Sequence, residues 1–102
     1  MMKNPKRDPS RCPTHPGAVL REIVLPNLQV SKTALAKALK MSRQQFHAIL
    51  REEQPVTPET AIKLQAAFGG SAQVWLNMQA AHDLWHAERR VDVSNIPSMR
   101  AA

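Results

Sequence analysis

The chain has 102 residues, 43% hydrophobic but only 4% aromatic and without Tyr, so one domain is expected, with a core of Leu, Ile, Val, Ala and Met. Lys and Arg number 14 against 8 acids, a net charge of +6 that points to an anionic partner. A single Cys excludes a disulfide framework and a cysteine-based zinc site, three Gly argue against a phosphate-cradling loop, and no apolar run approaches the roughly 18 residues of a membrane span.

Residues 1–13 carry Lys3, Lys6, Arg7 and Arg11 against Asp8, broken by Pro5, Pro9 and Pro13. A mobile basic tail is expected. No apolar stretch follows it, so it does not read as a secretory signal, and a reducing cytoplasmic setting is expected. The first helix starts where Thr14 or His15 can cap it and Pro16 needs no partner for its missing N–H. Val19, Leu20, Ile23 and Val24 fall at helical spacing, and Pro26 is expected to stop the run. Residues 27–30 read as a connection.

Ser31 caps a second helix over 32–39, with Leu35, Ala36 and Leu39 inward and Lys32, Lys37 and Lys40 outward. A corner, Leu39-Lys40-Met41, leads to the next cap, Ser42, and a third helix over about 43–51. Ser42 and Gln45 have capping-box spacing, while Phe46, Ile49 and Leu50 point inward. Residues 52–56 form a loop. Thr57 and Pro58 open a fourth helix whose apolar surface is Ala61, Ile62, Leu64 and Phe68, closed by Gly69-Gly70. Ser71 caps the last helix, 72 to about 90. Residues 91–102, with Pro97, read as an irregular tail. Nothing alternates with period two, so the fold class is all-α with five helices.

From Ser31 to Arg51 there are five bases, Lys32, Lys37, Lys40, Arg43 and Arg51, and no acid. Two short helices around a tight corner, charged only outside, have the shape of a helix-turn-helix. Ala36 is small where the two helices cross, and Met41 plugs the corner. The third helix presents Arg43, His47 and Arg51 one turn apart, flanked by Gln44 and Ala48. Arg can bond two acceptors of guanine, and Gln can pair with adenine. Arg43 and Gln44, at the helix start, are therefore the leading base readers, with Gln45 and His47 behind them. Ser31, Lys32, Ser42 and Arg51 suit phosphates. The plainer alternative is a solvated basic face. Lys40 stands where such a corner usually has Gly, at a cost of about 1 kcal/mol.

The stretches HPGAVLREIVLPNLQVSKTALAKALKMSRQQFHAIL and VTPETAIKLQAAFGGSAQVWLNMQAAHDL carry an HPG opening, a T-x-x-A-x-x-L pattern and an F-G-x-S-x-x-x-W-L-N-x-Q block. From His15 to about Glu88 the chain resembles HigA-type antitoxins, a branch of the lambda-repressor-like (XRE) helix-turn-helix family. The resemblance implies a five-helix domain that represses its own operon and neutralises a RelE/HigB-like toxin, a ribosome-associated mRNA endonuclease. It places Arg43, Gln44 and Gln45 on the base-contacting helix start, and it offers the first helix and the N-terminal tail as toxin contacts. Lys40 departs from the family's corner Gly. Glu52-Glu53-Gln54 replaces a usual Asn-Gly-Lys loop, which removes a frequent phosphate contact.

The fifth helix carries two apolar stripes, Val74, Trp75, Met78, Ala81 and Trp85 on one side and Leu76, Ala80 and Leu84 on another. A surface helix normally has one. A homodimer is expected, with Trp75, Met78, His82 and Trp85 at its interface and two reading helices about 34 Å apart on a palindromic operator. The alternative is a long helix gripped on both sides by its own domain. His82-Asp83-Leu84-Trp85-His86 approaches the zinc-peptidase spacing H-E-x-x-H, but Asp is short for a general base and no third ligand follows downstream. Cys12 with His15 lacks anything to position a nucleophile, and no carboxylate pair stands out. The expectation is a non-enzyme without metal or cofactor. A stand-alone regulator, or a protein-interaction module without a toxin partner, is the alternative function.

Overall fold

Five helices and no strand make up the computed structural model, which describes residues 8–100. The first, α1, is one continuous run: an α-helical turn Pro16–Val19, a widened π turn Leu20–Val24 and a further α-helical turn Leu25–Leu28. His15 is its cap, Nδ1 accepting from the Gly17 N–H at 2.8 Å. Burial, and after it the charge of nearby His82, hold the His15 pKa below its ordinary value, which favours the neutral ring an acceptor requires.

Pro26 does not stop this helix. A proline inside a helix donates nothing, and its ring crowds the carbonyl four residues back. The widened turn, in which the Leu25 N–H reaches back to the Leu20 carbonyl, carries the chain past it. The extra residue also shifts the helix phase. Leu25 joins Leu20 in the core at 8% exposure, whereas Ile23, expected inside, is 58% exposed. Asn27 then turns its side-chain amide onto the Ile23 carbonyl at 2.7 Å, and Gln29, at φ 59°, ends the helix.

Helices α2 (Lys32–Ala38) and α3 (Arg43–Leu50) begin as the sequence predicts. The Ser31 hydroxyl accepts from the Ala34 N–H, and that of Ser42 from the Gln45 N–H, both at 3.0 Å. Only this half of the expected capping box forms, since among the described residues the Gln45 side chain makes no bond back. Between the helices Lys40 is left-handed at φ 58°. Its N–H reaches the Lys37 carbonyl at 3.0 Å, and that of Met41 reaches Ala36 at 2.9 Å. Met41 is buried in the corner, as expected. Lys63 of the next helix donates to the Lys40 carbonyl at 3.1 Å, tying down the strained residue.

α1 packs across α3 where Gly17 has no side chain, and a Cβ there would collide with the Ile49 carbonyl. Helix α4 (Pro58–Phe68) is capped by Thr57 and ends at Gly69 and Gly70, both with positive φ. It turns Ala61 and Leu64 inward, but Ile62, expected with them, is 60% exposed. Helix α5 (Ala72–Arg90) is locked to the loop before α4 by buried Gln79. That side chain accepts from the Val56 N–H at 2.8 Å and donates to Asp83 at 3.0 Å. Among the described residues no helix is long and apolar enough to cross a membrane.

Of the segment expected to be a mobile tail, residues 8–13 lie along α5. Trp85 and Arg89 both donate to the Pro9 carbonyl, at 3.0 and 2.7 Å, with the Arg89 guanidinium 3.6 Å over the Trp85 ring. Lys3, Lys6 and Arg7 lie outside the described residues. Residues 91–100 are exposed and irregular, as expected.

Substitutions at two positions test the joints. Gly17→Ala is expected to cost about 1–3 kcal/mol, because neither backbone can yield freely. Lys40→Gly is expected to gain about 0.5–1 kcal/mol by relieving the left-handed residue, while Lys40→Ala gains nothing. Urea unfolding of the three variants measures both.

Candidate nucleic-acid interface

The first turn of α3 carries Arg43, Gln44 and Gln45, all exposed. Among the described residues none of the three has a side-chain hydrogen bond or an acidic partner. Their long, polar, uncommitted side chains leave one end of one helix together, which is what reading base edges requires. The caps Ser31 and Ser42 are exposed too, as is Lys32, which opens α2 and shares a hollow with His47 and Arg51. The serine oxygens accept from their own helices, which leaves each hydroxyl proton free to donate to an anion.

The far end of α3 is differently wired. Arg51 pairs with Glu53 at 3.1 Å. Arg21, from α1, donates to the Leu50 carbonyl and sits 3.2 Å from Glu52 and 2.7 Å from Glu22. The side chains of these pairs range from 35% to 66% exposed, so each pair contributes little. The positive field is therefore least compensated at the start of α3 and along α2. His47 is half-buried. Its Nε2 is buried without a hydrogen-bond partner, against a hollow of about 120 Å³ lined by Arg21, Lys32, His47, Leu50 and Arg51.

No family model matches the chain. Individual proteins do. Virulence-associated protein I of Dichelobacter nodosus is 48% identical over 80% of this chain and 76% of its own length. Antitoxin HigA-1 of Vibrio cholerae is 33% identical over 82% of this chain and 79% of its own. The chain belongs to the HigA family of helix-turn-helix proteins. Among solved structures, antitoxin GraA in complex with its operator superposes with a TM-score of 0.78, at 32% identity, over 99% of this chain and all of that one. HigA-1 and GraA are antitoxins rather than enzymes, in keeping with the sequence expectation.

As a HigA-type domain the chain shows what its two departures do. Lys40 takes the corner conformation without being Gly, and Glu52 likewise adopts a positive φ of 65°. Glu52 and Glu53 turn back onto Arg21 and Arg51, so the loop that lacks the family's usual phosphate contact holds the chain's own bases.

The four residues expected at a dimer interface are all half-buried. Trp75 packs on the core, and His82 and Trp85 meet residues 9–13. Leu84, Val91 and Val93 are exposed around a hollow of about 370 Å³ at the end of this helix. Sequence reasoning missed Arg21, for which only its position on α1 could have served. It also missed Gln79, which lies inside the quoted W-L-N-x-Q block.

Proposed function

We propose that this chain is an antitoxin that neutralises a RelE/HigB-like mRNA endonuclease and, as a homodimer in the cytoplasm, binds a palindromic operator to repress its own operon. The observation that carries the DNA half is the uncommitted trio Arg43, Gln44 and Gln45 at the start of α3. Arg43 and Gln44 read bases, with Gln45 beside them. Ser31, Lys32 and Ser42 hold phosphates, and Arg51 joins them by exchanging Glu53 for a phosphate. The likeness to an antitoxin solved on its operator supports the same assignment.

The toxin half rests on the relationship to antitoxin HigA-1. Exposed Ile23 and Leu28 on α1 offer an apolar surface that supports a toxin contact there. For the dimer, α5 supplies Trp75, Met78, His82 and Trp85, and the uncovered Leu84, Val91 and Val93 extend that face. Symmetry then sets two α3 helices on one duplex.

Titration against the chain's own promoter by fluorescence anisotropy, at several salt concentrations, tests the repressor. Affinity falls steeply with salt as counterions are released. Arg43→Ala is expected to cost about 1–3 kcal/mol on the operator and to relax preference there. Lys32→Ala weakens all duplexes alike and lowers the salt slope by about one. Equal binding to random duplex contradicts the repressor. Co-expression with the adjacent reading frame tests the antitoxin, which predicts co-purification and rescue of growth.

A further inference from the structure

Cys12 is fixed between two imidazoles. Its Sγ lies 3.5 Å from His82 Nδ1 and 3.4 Å from His86 Nε2, and the three donor atoms all fall within 4.8 Å of one another. The two histidines stand one turn apart on α5. The cysteine comes from the segment laid along that helix, 70 residues upstream of His82. We propose that Cys12, His82 and His86 form a site for Zn²⁺ that fastens the N-terminal segment to α5.

The spacing fits a tetrahedral ion. Zinc holds sulfur at about 2.3 Å and imidazole nitrogen at about 2.0–2.1 Å, which sets the two donors about 3.6 Å apart at the tetrahedral angle. Both sulfur–nitrogen distances are already close to that. The remaining adjustment is between the two rings, whose centroids are 4.7 Å apart, and His86, exposed on the last turns of α5, is free to swing. A thiolate with two imidazoles is a soft donor set that selects zinc over magnesium or calcium, which take oxygen ligands.

The chemistry balances simply. The Cys12 thiol loses its proton to solvent on binding, and the thiolate and two neutral imidazoles each donate an electron pair. His82 Nδ1, now 2.8 Å from the Pro13 carbonyl, exchanges that hydrogen bond for the metal. Its ring proton moves to Nε2. A water takes the fourth position beside exposed His86. The His15 ring, edge-on at 4.9 Å, holds His82 in place, while exposed His86 has the Trp85 ring edge-on at 5.1 Å. The H-x-x-x-H spacing on α5 thus has a third ligand, and it lies upstream rather than downstream. The single cysteine that excludes a cysteine-rich zinc site is enough for this mixed one.

The test uses the full chain, reduced and stripped with chelator, then titrated with Co²⁺ and Zn²⁺. One equivalent of Co²⁺ is expected to bring a thiolate-to-cobalt charge-transfer band, which Zn²⁺ abolishes, and Zn²⁺ is expected to raise the thermal midpoint. Cys12→Ser removes the band. Losing even an outer hydrogen-bond partner of a ligand weakens a metal site about 10–100-fold. His86→Gln, at an exposed position, is therefore expected to weaken Zn²⁺ at least about tenfold in chelator competition while circular dichroism stays unchanged. A spectrum without the charge-transfer band overturns the proposal, leaving a thiol hydrogen-bonded between two histidines. So does a Zn²⁺-dependent thermal shift that survives unchanged in both variants.

Discussion

The angle between α2 and α3 rests on three residues of backbone. Lys40 turns left-handed, its N–H and that of Met41 close onto the end of α2, and the Met41 side chain fills the inside of the bend. Everything proposed for DNA depends on that angle, because it decides which face of α3 is buried. With Phe46, Ile49 and Leu50 committed to the core, the opposite face and the helix start have only solvent to meet. Gly17 supplies the second constraint. By letting α1 approach the Ile49 carbonyl, it fixes α3 from behind. A reading helix held on two sides presents its side chains without reorganising on binding.

Charge is distributed to match. The chain's acids are kept out of α2 and α3, and three that lie nearby, Glu22, Glu52 and Glu53, are bound to Arg21 and Arg51. Arg43 at the start of α3 and Lys32 at the start of α2 are left without an acidic partner among the described residues. An approaching phosphate backbone is therefore attracted toward the side chains proposed to read bases. The paired bases at the other end hold a weaker reserve that exchanges partners at little cost.

Much of this was legible in the sequence because it is local. Caps at Ser31, Ser42, Thr57 and Ser71, the corner at Lys40 and the inward stripe of α3 each depend on residues within one or two turns. What escaped was of two kinds. The widened turn in α1 is a backbone response to Pro26, and it rotates every later side chain, so a fixed helical period puts Ile23 inside and overlooks Leu25. The others are contacts between distant parts of the chain. Gln79 with Val56, residues 8–13 with Trp85 and Arg89, and Cys12 with His82 and His86 leave no periodic trace. A histidine pair on α5 was visible, but the direction in which to seek its partner was not. The burial of the His47 Nε2, likewise, depends on neighbours that its position in α3 does not name.

The central claim is that Arg43 and the neighbouring glutamines touch base edges. Side-chain nitrogen resonances of the ¹⁵N-labelled chain, followed as its own promoter duplex is added, test it most directly. The account predicts that the Arg43 guanidinium and the Gln44 amide shift and saturate with promoter DNA but not with random duplex. Promoter binding that leaves both sets of signals where they stand in the free protein would contradict it.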